Sequence, residues 1–428
     1  MAQRSLGSPR LAGWPDGEIA WVEVEQRFER RALVEPAKTL LNGLHAVRSR
    51  VSAGDRVAVA VGSRGISCIE EITGSLVRWL RSCGAEPFVV PAMGSHGGAD
   101  PEGQVRVLAA LGITEASIGA PIVSAMDTVL LGHTPAGIPV HTDRRALEAD
   151  LVVPVARVKP HTDFRGPIES GPTKMLAIGL GKQRGAEAIH AVGLPRLSQT
   201  IGQAGTVVLE HLRVPFCVAV VEDAYDAAAI VEVVPAELLV SREPELLVTA
   251  RDWMPSLPVT ALDVLVVQEM GKDISGDGMD PNITGRFYLP EMSGEPDVER
   301  LVVLDLTEAT HGNATGIGMA DIVTRRAADK VDWFQTYTNE VTAHTPHGAR
   351  LPLVALDDEE AFAVALRTLT AGSRNGVRLA WIRNTLSLSR LMVTPSVLEA
   401  LREGADVEPV SDPVPIAFEH GALVLGGG

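Results

Sequence analysis

Two histidines, an arginine and a lysine stand in short glycine-marked segments, each placed beside an apolar run. Arg64 lies in Val61-Gly-Ser-Arg-Gly-Ile66, His96 in Ala92-Met-Gly-Ser-His-Gly-Gly98, His161 in Arg157-Val-Lys-Pro-His-Thr-Asp-Phe-Arg-Gly166, and Lys174 in Gly171-Pro-Thr-Lys-Met-Leu-Ala-Ile-Gly-Leu-Gly-Lys182. A guanidinium just ahead of a helix suits a carboxylate, which it can grip with two parallel N–H bonds while the helix N-terminus favours the negative charge. Two imidazoles titrating near neutrality serve as paired proton donor and acceptor, as a reaction on both faces of one carbon requires. A partly desolvated lysine amine has a lowered pKa and becomes nucleophilic. His190 follows Lys174 at a distance of sixteen residues. Each residue also has a plain structural reading: Arg64 in a surface turn, His96 in a solvated loop, Lys174 with its stem along the surface, and His190 closing a helix with its charge toward the negative dipole end.

The elements that must position these groups are legible as short β-rich apolar runs alternating with helical patterns, the mark of mainly parallel sheets with crossover helices. Strands are predicted at Arg56–Val61, Pro87–Pro91, Leu151–Val155, Phe216–Val221, Asp263–Val267, Arg300–Leu304 and Arg378–Ile382. Helices are predicted at Cys68–Cys83, Glu102–Leu111, Leu197–His211, Asp358–Leu369 and Pro395–Glu403. The chain is long enough for two α/β domains. Pro255 and Pro258 mark the break, so residues 1–255 are expected to carry cofactor and acid/base groups and residues 256–428 to close over the substrate. In parallel α/β sheets, ligands bind beyond the carboxyl ends of the strands. Arg64, His96 and His161 each follow a predicted strand there, as do Gln268–Lys272 and Thr307–Thr315 in the second domain. The expected site is the cleft where these loops meet.

Composition narrows the function classes. The formal charge of −16 has no basic block, which excludes a phosphate-backbone partner. No run approaches the ~20 apolar residues of a membrane span. Cys68, Cys83 and Cys217 show no C-x-x-C pair and read as small buried residues rather than zinc ligands. Met1–Trp14 lacks the apolar core of a signal peptide, so a reducing cytoplasm is the expected location. His133, His141, His311, His344 and His347 show no metal-ligand spacing and read as surface or core residues.

Taken in order, Gly-Ser-Arg-Gly, Gly-Ser-His-Gly-Gly, Lys-Pro-His, the lysine of Pro-Thr-Lys and His190 resemble the nickel-pincer lactate racemase family. Gly271-Lys-Asp-Ile-Ser-Gly-Asp-Gly-Met-Asp-Pro-Asn-Ile-Thr-Gly-Arg286 and Gly312-Asn-Ala-Thr-Gly-Ile-Gly-Met-Ala-Asp321 look like further segments of its members. The resemblance implies a racemase or epimerase of a small 2-hydroxy acid. Its cofactor would be a nickel-pincer nucleotide, pyridinium-3-thioamide-5-thiocarboxylic acid mononucleotide, delivered by cofactor-biosynthesis proteins that bind transiently. It implies Lys174 as the covalent attachment point, His190 as the protein's ligand to nickel, Arg64 on the substrate carboxylate, and His96 and His161 as the acid/base pair.

Two segments depart from the family pattern. The link Arg165-Gly-Pro-Ile-Glu-Ser-Gly-Pro-Thr173 is longer than its counterpart, and Thr284 and Gly285 stand where lactate racemase has larger groups. The first implies a different cofactor loop, and the second makes room for a bulkier or more polar 2-hydroxy acid than lactate, with Arg286 or Lys272 as contacts. Two other classes compete with this reading. A dehydrogenase with a diffusible nicotinamide is disfavoured because no G-x-G-x-x-G opens a helix after the first strand. A non-catalytic cofactor carrier would need Lys174 and His190 but not two acid/base histidines.

Overall fold

The structure is a computed structural model that describes residues 9–15, 18–63, 65–287, 289, 292–370 and 376–425. The chain falls into two units, Glu29–Met254, and Met1–Phe28 together with Pro255–Gly428. The break lies at Pro255, within the proline-marked stretch read from the sequence. The assignment of all of residues 1–255 to one domain does not hold, because the opening strand β1 (Ala20–Arg27) is built into the other unit's sheet.

In the Glu29–Met254 unit, β2 (Arg56–Val61), β3 (Glu86–Pro91), an antiparallel hairpin of β4 (Thr128–His133) and β5 (Pro139–Asp143), β6 (Leu151–Arg157), β7 (Phe216–Glu222) and β8 (Ala228–Pro235) follow in order. The main sheet runs β3-β2-β6-β7-β8. The pairs β2/β3, β2/β6 and β6/β7 are parallel, and β8 joins antiparallel. Successive side chains of a strand point to opposite faces, and both faces here are buried. Val57, Val59 and Val61 pack on one side with Ile72, Leu76 and Leu80, while Ala58 and Ala60 pack on the other with Met175, Leu176 and Ile201. Burial on both faces explains why these strands read as continuous apolar runs. The small residues face the side where the segment after Lys174 comes closest.

In the other unit, β9 (Ala261–Met270), β10 (Asp297–Leu306), β11 (Ile322–Thr324), β12 (Leu353–Ala355), β13 (Leu379–Ile382), β14 (Arg390–Val393), β15 (Asp406–Pro409) and β16 (Val414–Pro415) follow. They form a sheet ordered β12-β11-β10-β9-β13-β14-β1-β15, with β16 also on β1. The run from β12 to β13 is parallel and the remainder antiparallel. Strands β17 (Ala417–Glu419) and β18 (Ala422–Val424) form a separate hairpin. Fully buried Trp21 of β1 joins Val264, Val302 and Phe362 in this core, which is the reason β1 belongs here. The chain is thus an α/β protein with two mixed, mainly parallel sheets. The predicted helix Pro395–Glu403 is a single turn, Pro395–Leu398, and helices Pro36–Ala46, Lys182–His190 and Leu239–Trp253 are additional.

Candidate active site

Strands β3, β2 and β6 are parallel neighbours, so the loops leaving their carboxyl ends start side by side. The loops after β2 and β3 are in contact, with Ser63 Oγ lying 2.5 Å from Nδ1 of His96. Arg64 itself lies outside the described residues. His96 is exposed, as in the solvated loop of its structural reading, while Gly97 is held close to a helix. A Cβ there would stand 2.7 Å from the backbone nitrogen of Gln104, so the close approach is to the helix Pro101–Ala110 and not to a ligand.

That helix grips the His96 turn through Gln104, whose amide donates to the carbonyls of Gly94 at 2.9 Å and His96 at 3.3 Å. Gln104 Oε1 in turn accepts from Nζ of Lys182 at 3.0 Å. Lys182 is fully buried in a left-handed conformation with φ of 52°. Its ammonium also donates to the Pro91 carbonyl at 2.5 Å and lies 3.0 Å from Asp143 Oδ2. Burial pushes the Lys182 pKa down, with Asp143 opposing the shift. Lys182 also opens the helix that ends at His190, so one buried cation ties the His96 turn to the His190 helix. His190 is the last residue of that helix, the place its structural reading gave it.

The loop after β6 carries His161, whose side chain is 18% exposed and stacks on Phe164 with centroids 4.3 Å apart. Glu169 holds this loop from beneath. It accepts the N–H of His161 at 2.7 Å and of Gly166 at 3.1 Å, and it pairs with Arg251 at 3.0 Å. Glu169 belongs to the link Arg165–Thr173 between His161 and Lys174, so that link supplies the support for His161. The N–H of Asp163 donates to His161 Nδ1 at 3.0 Å, and Asp163 Oδ2 is 3.8 Å from the same nitrogen.

Lys174 lies 5.6 Å from the centroid of the Phe164 ring that His161 also touches. It is half-buried and sits at the end of the helical turn Pro172–Lys174. From Met175 to Gly179 the chain continues as a π-helix, with Leu180 N–H donating to the Met175 carbonyl at 2.9 Å. Such widened turns recur at functional sites. This one packs directly against the other two loops. Gly94 N–H donates to the Gly179 carbonyl at 3.1 Å, and a Cβ on Gly62 would stand 3.2 Å from Met175 Cε. The start of the turn is fixed by Glu243, which accepts from Thr173 N–H at 3.0 Å and Thr173 Oγ1 at 2.6 Å. Burial pushes the Glu243 carboxyl up to about 7.

In the other unit, Lys272 and Thr310 join the loops after β9 and β10, Lys272 N–H donating to Thr310 Oγ1 at 3.0 Å. Lys272 Nζ donates to the Gly276 carbonyl at 2.6 Å. Arg286 is committed to Asp321, with its closest N–O distance 2.6 Å, and to the carbonyls of Val298 and Glu299. Thr284 is fully buried, and a Cβ on Gly285 would stand 1.9 Å from the Pro296 carbonyl oxygen. The small size of Gly285 therefore answers to backbone packing. Sequence reasoning also missed Ser63, Gln104, Glu169, Lys182 and Glu243. Only Lys182 carried a signal, a charge closing an apolar run between glycines.

Fold and site together define a two-unit α/β protein. In its Glu29–Met254 unit, imidazoles and an amine gather at the carboxyl edge of parallel strands. Residues 19–201, which span Ser63, His96, His161, Lys174 and His190, match the model of the lactate racemase N-terminal domain. A solved protein from Thermotoga maritima is 15% identical, with a TM-score of 0.54 over 85% of this chain and 99% of its own, and shares the fold. The lactate racemase apoprotein from Thermoanaerobacterium thermosaccharolyticum is 13% identical, with a TM-score of 0.47 over 67% of this chain and 74% of its own. No curated protein sequence matches the chain.

Proposed function

We propose that this protein interconverts the stereoisomers of a small 2-hydroxy acid, using a nickel-pincer nucleotide attached to Lys174 with His190 as the protein's ligand to nickel. The observation that carries the reading is the meeting of the Ser63, His96 and Lys174 segments, within the stretch that matches the lactate racemase N-terminal domain, on the edge where ligands of parallel sheets bind. His161 joins them through Phe164.

The residues fit such a group. Lys174 offers a primary amine beside an aromatic face, and an imidazole such as that of His190 suits nickel. Among the described residues no group of three or more His, Cys, Asp or Glu could hold an ion. When bound, the group supplies a hydride acceptor. His96 and His161 take the substrate's hydroxyl proton and return it. Arg64, next to Ser63, grips the carboxylate with its planar fork. Lys272 and Arg286 use donors inside their own unit, which leaves carboxylate recognition to Arg64.

Among the described residues no helix is long and apolar enough to cross a membrane. The three cysteines are free thiols, which supports a reducing compartment.

The test is to produce the chain together with proteins that make the nucleotide, weigh it intact, and incubate it with single enantiomers of lactate and malate. The expected result is added mass on the parent, none on Lys174→Ala, and loss of optical purity without added nicotinamide. An adduct that persists on Lys174→Ala overturns the attachment site. Turnover that needs added nicotinamide favours a dehydrogenase, and an adduct without turnover favours a carrier.

A further inference from the structure

The two histidine rings are held at Nδ1 by groups of different hydrogen-bonding capacity. At His161 the partner is the backbone N–H of Asp163, at 3.0 Å. A backbone amide nitrogen only donates, so this Nδ1 presents a lone pair and the neutral ring carries its proton on Nε2. At His96 the partner is the hydroxyl of Ser63, at 2.5 Å. A hydroxyl donates and accepts and rotates to suit, so that contact survives with the ring proton on either nitrogen.

We propose, resting on the acid/base reading above, that the two rings are not interchangeable and that Ser63 and Asp163 are the positioning residues that set them apart. With Nδ1–H donating to Ser63, Nε2 of His96 accepts the substrate's hydroxyl proton. The ring becomes imidazolium without losing its partner, and release of the proton from Nε2 restores the starting state. His161 as held here is a neutral hydrogen-bond donor at Nε2. To accept a proton it must become protonated at Nδ1, which displaces the Asp163 N–H. The Asp163 carboxylate, 3.8 Å away, is the group at hand to receive the new Nδ1–H. His161 therefore enters acid/base exchange only when Asp163 trades its amide for its carboxylate.

Nitrogen-15 NMR of the full-length chain, labelled at its histidine rings and recorded where the rings are neutral, reads the tautomers directly, with His96 and His161 assigned from His96→Gln and His161→Gln. The expected result is a fixed Nε2–H pattern for His161, with one pyridine-type and one pyrrole-type nitrogen, and averaged signals for His96. Ser63→Ala should move the His96 signals away from that average and leave those of His161 in place, and Ser63→Thr should restore them. An Nδ1–H or averaged pattern at His161 overturns the proposal. So does a His96 ring indifferent to Ser63→Ala. These readouts need neither cofactor nor substrate, so a protein that fails to racemise any 2-hydroxy acid sinks the functional reading and leaves this result legible by itself.

Discussion

Glu243 sits buried beneath the turn that carries Lys174, with both Thr173 donors on Oε2 and, among the described residues, no hydrogen-bond partner on Oε1. Burial raises its carboxyl from 4.5 to about 7 against the pull of the Thr173 bonds. Between those two pH values the folded chain keeps a proton that the unfolded chain has released. Stability therefore falls as pH rises through that window and stays reduced above it. At ~1.36 kcal/mol per pH unit, the loss is about 3 kcal/mol by pH 8 and about 1 kcal/mol at pH 5. Glu243→Gln is neutral throughout and keeps an oxygen for the Thr173 N–H. The variant should therefore gain on the parent by about 2 kcal/mol more at pH 8 than at pH 5. Thermal unfolding of both proteins at the two pH values measures this. A unit of this size shifts its Tm by roughly 2–4 °C per kcal/mol, so the pH-dependent part of the gap should be several degrees. A gap of equal size at pH 5 and pH 8 would refute the reasoning, since it would mean that Glu243 does not change its charge across that range.

Two further substitutions probe the supports of the histidine loops. Glu169→Ala removes the acceptor of two backbone N–H groups and the partner of Arg251, and should cost about 2–4 kcal/mol in urea unfolding, with Glu169→Gln losing clearly less. An alanine variant as stable as the glutamine one would show that the loop does not depend on these bonds. Lys182→Met leaves Asp143 buried without its cation and should cost ~3–5 kcal/mol. Adding Asp143→Asn should recover part of that loss, and strict additivity in the double-mutant cycle would dismiss the pair as a coupled unit.

The parallel strands were legible because burial on both faces makes each a short apolar run with turn residues at its ends, as in Arg56–Val61 and Phe216–Glu222. The positions of His96 and His161 were legible for the same reason, since each follows such a run and so lies past the carboxyl end of a strand. β1 was not. Its pairing partners include Arg390 and Glu408, hundreds of residues away, and no local pattern encodes such a partner. Glu243 was not legible either. Arg242-Glu-Pro-Glu245 reads as the polar face of a helix, and only the fold reveals that Glu243 turns inward to Thr173 while Arg242 pairs outward with Glu232.

The π-helix was the least legible feature, and it is the one that joins the site. An apolar stretch such as Met175–Leu180 specifies burial but not the number of residues per turn. That number is set by what the turn must pack against. On this face of the sheet the opposing residues are small, Ala58, Ala60 and Ala92, and the approach is close enough that a Cβ on Gly179 would stand 2.5 Å from the Ala92 carbonyl oxygen. Backbone can then meet backbone, and the Gly94 N–H takes the Gly179 carbonyl as its acceptor. A wider turn holds its next hydrogen bond five residues on, from Leu180 back to Met175, so the helix continues while one of its carbonyls is shared with the His96 loop. The glycines and alanines around Lys174 thus let main-chain contact join the His96 loop to the turn after Lys174, beside the Gln104 and Lys182 side chains that tie the same loop to the His190 helix.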